Sequence, residues 1–185
     1  VENALVHTRP SLGLVKSNED VSSELRAQTE TERSVYVPQL EVGMYDDILV
    51  PTDGSESVQT VLEHTVDIAT RRDATVHVLY VVDDQAFLTL DEEMKDEVLA
   101  EMQAEGERAL DAVVAETDGA GLETTTALRR GRPAEEIVDY ADSAGVDVIT
   151  MGTQGDDYTE NILGSTSQKV VTQSPVPVLT VDVSE

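Results

Sequence analysis

A group of glycines late in the chain constrains its fold more than any other feature. Gly152, Gly155 and Gly164 are spaced Gly-x2-Gly-x8-Gly, and Ser165 follows the last of them. A largely apolar run, residues 146–151, stands directly before the group, and residues 165–172 carry helical periodicity directly after it. The order is therefore strand, glycine loop, helix. Glycines at such a junction let backbone N–H groups approach a ligand with no Cβ in the way. The first turn of the helix adds unpaired N–H groups at the positive end of its dipole. This arrangement suits an anion, with a nucleotide phosphate as the leading candidate. Glycine turns between strands and helices also serve purely structural ends.

The same alternation of strand and helix signals runs through the chain upstream. Residues 48–51 are a short apolar run leading into Thr52-Asp53-Gly54-Ser55-Glu56. They read as a buried first strand followed by a helix capped by Ser55, with Glu56 favourable in the first turn. Val58, Val61, Leu62, Thr65 and Ala69 then recur at helical spacing. Asp53 stands at the carboxyl end of that strand, where open α/β sheets bind ligands, although a plain turn cap is an equally simple role for it. Residues 75–82 are β-branched and apolar enough for a central strand ending at Asp83-Asp84. Residues 91–116 read as an amphipathic helix on Met94, Val98, Met102, Ala109, Leu110 and Val113, with Gly106 as a weak point.

Residues 122–128 read as a third strand, polar enough at Thr124, Thr125 and Thr126 to lie at an edge. Arg129, Arg130 and Arg132 follow, able to draw a phosphate or to pair with the protein's own acids, and Pro133 suits the first turn of a helix carrying Ile137, Val138 and Ala141. Residues 176–183 supply a fifth strand. Strands alternating with helices make parallel βαβ units with right-handed crossovers, the α/β class.

The loop spacing resembles the Gly-x2-Gly-x9-Gly-Ser/Thr loop in the ATP-binding branch of the universal stress protein family. Residues 48–56 resemble that family's first strand and loop, and residues 175–181 its last strand; the likeness spans residues 44–183. It implies a single doubly wound sheet of five parallel strands in the order 3-2-1-4-5 with helices on both faces. It further implies that Pro51, Thr52 and Asp53 line an adenosine pocket, with the aspartate at the ribose or base edge, and that Val81 offers its backbone to adenine. Met151 would lie near the ribose and α-phosphate, and Gly152, Gly155, Gly164, Ser165 and Thr166 would meet the phosphates. The implied cofactor is ATP or AMP. The loop is one residue shorter than the family pattern, and Asp156 and Asp157 follow Gly155 where relatives often carry a basic residue. These two carboxylates would repel the β- and γ-phosphates unless a cation such as Mg²⁺ intervenes, which they are themselves suited to hold.

Composition narrows the function classes. The 38 acidic residues against 12 Lys plus Arg give a formal charge of −26, and Lys16, Lys95 and Lys169 are the only lysines. Nucleic acid and anionic membrane surfaces are repelled by such a field. The 39% of hydrophobic residues fall in periodic runs, so the acids form a coat on a folded core, as expected of a protein from an extreme halophile. The absence of cysteine excludes disulfides, thiolate metal sites and thiol nucleophiles. His7, His64 and His77 have no partner at a catalytic motif spacing, and no Walker loop occurs. No apolar run approaches a membrane span, so a soluble, cytoplasmic protein is expected.

Residues 1–43 lack sustained periodicity and are expected to be a disordered or non-native extension to a domain of residues 44–185. The apolar last strand, at a sheet edge, is expected to pair with a second copy in a homodimer. The readings carried forward are an adenine-nucleotide-binding stress or regulatory protein, a structural or sensing module of the same fold that binds no nucleotide, and a slow Mg²⁺-dependent ATPase.

Overall fold

The computed structural model describes residues 44–87, 91–153 and 163–183. The expectations for residues 1–43, and those for Gly155, Asp156 and Asp157, lie outside the described residues. In chain order the elements are β1 (Asp47–Thr52), α1 (Val58–Arg72), β2 (Thr75–Asp83), a short 3-10 turn (Asp84–Phe87), α2 (Glu92–Gly119), β3 (Thr124–Gly131), α3 (Pro133–Ala144), β4 (Val148–Gly152), α4 (Ser165–Gln173) and β5 (Val178–Val181).

The strands form one parallel sheet in the order β3-β2-β1-β4-β5, as the resemblance implies. Its central strands are covered on both sides, which is why their sequences read as nearly continuous apolar runs. The period of two sorts their side chains between two cores. On one face Ile48, Val50, Val76, Val78, Tyr80 and Val82 meet Val61, Leu62 and Ala69 of α1 and Leu110 and Val113 of α2. On the other, Leu49, Leu79, Ile149 and Met151 meet Ala134, Ile137, Tyr140 and Ala141 of α3 and Val170 of α4. Ile48, Leu49, Leu79 and Ile149 are fully buried, each worth about 1.5–3 kcal/mol of transfer free energy.

The ends of the elements follow local chemistry. Pro133 opens α3 as expected, where its missing N–H costs nothing, and Gly145 closes it at φ +69° with its N–H on the Ala141 carbonyl. Between α1 and β4 two buried hydroxyls satisfy each other. Thr65 Oγ1 donates to the Val61 carbonyl at 2.9 Å and accepts from Thr150 Oγ1 at 2.7 Å.

Several expectations need correction. Ser55 does not cap α1. The helix starts at Val58 with Ser57 in the cap position, and Ser55 and Ser57 share a 2.7 Å hydroxyl contact instead. The third strand runs on through Arg129 and Arg130, because β2 continues to Asp83 and keeps offering backbone partners as far as Gly131. The fifth strand is shorter than residues 176–183. Gly106 is no weak point: a Cβ there would stand 2.6 Å from Tyr80 Cδ1, so glycine is what lets α2 lie against that ring. His77, without a partner at a catalytic motif spacing, is instead held by side chains distant in sequence. Its Nε2 lies 2.9 Å from Asp47 Oδ1 and its Nδ1 3.0 Å from the Tyr140 hydroxyl.

Among the described residues, no helix is long and apolar enough to cross a membrane.

Candidate functional site

The sheet order sets where a ligand can sit. After β1 the chain winds outward to β2 and β3, then returns to place β4 on the other side of β1. The connections leaving β1 and β4 therefore diverge to opposite faces and leave a crevice at the carboxyl ends of the strands. That crevice encloses about 310 Å³, within the range of small-molecule sites. Its walls combine Pro51, Thr52 and Asp53 at the end of β1 and Leu79, Tyr80 and Val81 in β2. Pro133 and Ile137 of α3, Met151 and Gly152 of β4, and Gly164, Ser165, Thr166 and Ser167 at the start of α4 complete them, with Ser57, Val58 and Val61 on the α1 side. The described residues to which the resemblance assigns a nucleotide contact, namely Pro51, Thr52, Asp53, Val81, Met151, Gly152, Gly164, Ser165 and Thr166, all line this one surface, whereas Arg129, Arg130 and Arg132 do not.

At the β1 end a tight turn presents Asp53. The Gly54 N–H donates to Thr52 Oγ1 at 3.1 Å, and the Ser55 N–H donates to Asp53 Oδ1 at 3.0 Å. Gly54 sits at φ +83°, which only a residue without Cβ adopts easily. The turn thus uses one carboxylate oxygen of Asp53, as its capping role required, and leaves Oδ2 without a hydrogen bond among the described residues. Asp53 is exposed. Asp53 thus shapes the turn, one of the roles read for it from the sequence, and stands in the crevice wall.

The β4 end is a donor surface. Ser167 Oγ donates to the Gly152 carbonyl at 2.9 Å, and the Thr153 N–H donates to the Val181 carbonyl at 2.8 Å, fixing strand end and helix start together. The Gly164 N–H is taken by the Thr153 carbonyl at 2.7 Å, and α4's first helical bond runs from Gln168 N–H to the Gly164 carbonyl at 2.8 Å. The N–H groups of Ser165, Thr166 and Ser167 precede that bond. Among the described residues no side chain caps them, and the first turn holds no acid. These donors, with the helix dipole behind them, suit an anion.

Between the two ends the wall is apolar, built from Leu79, Val81, Ile137 and Met151. A flat aromatic body fits this middle, an acceptor stands at one end and anion donors at the other. The sequence reading did not select Ser57, Val58, Val61, Leu79, Tyr80, Pro133, Ile137 or Ser167. Strand alternation through Val81 and the first turns of the helices carry a weak signal for some of them. Tyr80, however, enters through the fold, since it pairs in register with Thr52 of β1.

Other polar residues are engaged elsewhere. His77 and Asp47 lie toward the amino ends of β2 and β1, away from the crevice. Arg129 lies over the Tyr140 ring at 4.8 Å and reaches Glu136 at 3.5 Å, while Arg132 pairs with Glu135 at 3.0 Å, so these two arginines meet the protein's own acids. No cluster of three or more metal-ligating side chains occurs among the described residues.

Comparison with known proteins places this geometry in context. The model of the universal stress protein family matches residues 44–182. A universal stress protein of Methanocaldococcus jannaschii is 37% identical over 140 residues, covering 75% of this chain and 82% of the relative. The solved structure of hypothetical protein MJ0577, from the same organism, is similar at a TM-score of 0.70 with 33% identity, over 76% of this chain and 97% of that chain. The universal stress protein from Archaeoglobus fulgidus in complex with dAMP shares the fold at a TM-score of 0.57 and 22% identity, over 75% of this chain and 98% of that one.

Proposed function

The chain belongs to the universal stress protein family, and on that premise we propose that its crevice binds an adenine nucleotide in a stress or regulatory role. The observation that carries this reading is the pairing of opposite chemistries across one crevice. Asp53 keeps an open carboxylate oxygen at one end, and the uncapped first turn of α4 stands at the other. Adenine occupies the apolar middle, with Val81 offering its backbone. The sugar meets Asp53, the α-phosphate lies by Met151 and Gly152, and further phosphates meet Gly164, Ser165 and Thr166. That a relative of the same fold was solved with dAMP agrees with this assignment.

The acidic loop sets the preference among nucleotides. Asp156 and Asp157, with Gly155 before them, follow β4 directly in sequence. Two unit charges ~4 Å apart interact by about 4 kcal/mol at an effective dielectric near 20, enough to reorder ligand affinities. ATP therefore binds with a cation, Mg²⁺ or concentrated K⁺, between its outer phosphates and these carboxylates, and AMP needs the cation less. A salt-rich cytoplasm, where such a charged coat is screened, is the setting this composition fits. The protein acts as a homodimer joined along the edge of β5, where Leu179 is exposed.

Calorimetric titration in molar KCl tests the reading. AMP binds with a small dependence on Mg²⁺ and ATP with a large one; Asp156→Arg tightens ATP without changing AMP, and Asp53→Ala weakens both. Absence of binding by any adenine nucleotide at millimolar concentration, to protein shown to be folded, refutes the reading and leaves a module that senses or assembles without nucleotide.

A further inference from the structure

Tyr80 lines the crevice, is 6% exposed, and its hydroxyl makes no hydrogen bond among the described residues. A buried phenol without a partner is costly, and proteins rarely keep one without a use for it.

Its surroundings fix where the ring stands. Tyr80 is opposite Thr52 in the β1–β2 register, so its side chain rises on the same face, beneath the turn that carries Asp53. One edge of the ring is held by α2: a Cβ on Gly106 would lie 2.6 Å from Cδ1 and 2.9 Å from Cε1. The opposite edge faces the ligand turn, with Cε2 3.9 Å from where a Gly54 Cβ would stand. The ring is thus wedged between a helix and the turn, within electrostatic reach of Glu105 on α2 and of Asp53 on the turn. Burial, and then the carboxylates of Glu105 and Asp53, push its pKa up, so the oxygen keeps its proton and is a donor.

A donor lying beneath a turn that carries a carboxylate can share one common group with it. A hydroxyl can donate to the carboxylate while its oxygen accepts from the phenol, whereas a phosphate at the same place would be repelled by the carboxylate. We propose that Tyr80 is a specificity-determining residue of the crevice, donating a hydrogen bond to a ribose hydroxyl whose own proton goes to Asp53. The inference rests on the adenine-nucleotide reading above. It goes beyond that reading in selecting ribonucleotide over a deoxynucleotide that lacks the bridging hydroxyl, whose absence leaves the Tyr80 hydroxyl without its acceptor.

The test compares wild type and Tyr80→Phe, which keeps the ring and its wedge, by calorimetry in molar KCl with AMP, 2′-deoxy-AMP and 3′-deoxy-AMP. Wild type is expected to bind AMP about tenfold more tightly than one of the two deoxynucleotides. Tyr80→Phe is expected to lose about tenfold toward AMP but nothing toward that deoxynucleotide, so the preference collapses to within about twofold. Unchanged AMP affinity in Tyr80→Phe, or an equal loss toward all three nucleotides, overturns the inference while leaving nucleotide binding intact. Failure of wild type to bind AMP overturns the reading beneath it. If Tyr80→Phe does not fold, the near-ultraviolet tyrosine spectrum of wild type reads the same contact. AMP shifts the phenol band and the discriminated deoxynucleotide does not; equal shifts from both overturn the inference.

Discussion

Replacing Gly106 by alanine pits helix propensity against packing, and the structure decides which wins. In the interior of α2 (Glu92–Gly119) the change gains about 1 kcal/mol, because alanine loses less backbone entropy than glycine. The added Cβ, however, meets Tyr80 Cδ1 at 2.6 Å, Tyr80 Cε1 at 2.9 Å and Leu128 Cδ1 at 3.0 Å. Carbon atoms rest at about 3.5–4.0 Å, so ring and helix must separate by roughly 1 Å. Tyr80 is buried against the sheet and cannot swing into solvent, and overpacking of this kind costs about 1–3 kcal/mol. The expected net effect is a loss of about 1 kcal/mol, or roughly 3 °C in Tm for a domain of this size. Because the ring also supports the Asp53 turn, nucleotide affinity falls with it. Thermal denaturation followed by circular dichroism measures the shift. Gly119→Ala is the control, because a Cβ there meets nothing within 4 Å and should be neutral or stabilising. A Gly106→Ala protein that melts as high as Gly119→Ala, or higher than wild type, refutes the argument that α2 is held close by Tyr80.

Thr65→Val removes the acceptor of the buried Thr150 hydroxyl and should cost about 1–3 kcal/mol in urea denaturation, while Thr65→Val with Thr150→Val recovers most of it. A double variant no more stable than the single one contradicts the pairing. With a formal charge of −26, Tm should climb as KCl rises from about 0.1 M to the molar range, where the Debye length shrinks from about 10 Å to about 3 Å. A flat profile removes the halophilic reading. Proline at Leu179, on the exposed edge strand, should give monomer by light scattering, and an intact dimer would place the interface elsewhere.

What could be read from the sequence was local and periodic. The run Val76, Val78, Leu79 and Val82 announces a strand covered on both faces, and Pro133 announces the start of α3, because each signal lies within a few neighbouring residues. The strand order came from resemblance rather than from periodicity, and Asp53 and the α4 turn meet only because that order sets β1 beside β4. The features misread depend on contacts distant in sequence. Gly106 looks like a flaw in a helix until the Tyr80 ring is set against it. His77 was not misread, but its partners 30 and 63 residues away could not be seen in the sequence. Arg129 and Arg130 look like loop residues, yet a neighbouring strand's backbone holds them in the sheet whatever their side chains prefer. Ser55 resembles a helix cap, but the turn draws its N–H to Asp53 and its hydroxyl to Ser57.

Binding of a nucleotide between Asp53 and the first turn of α4 can be read residue by residue. Amide chemical-shift mapping in molar KCl tests it most directly, with ¹⁵N-labelled protein titrated with AMP. The largest shifts are expected at Ser165, Thr166 and Ser167, whose N–H groups precede the helix's first hydrogen bond, with further shifts at Gly54, Val81 and Gly152. Shifts confined to other surfaces, or none at millimolar AMP, would contradict it.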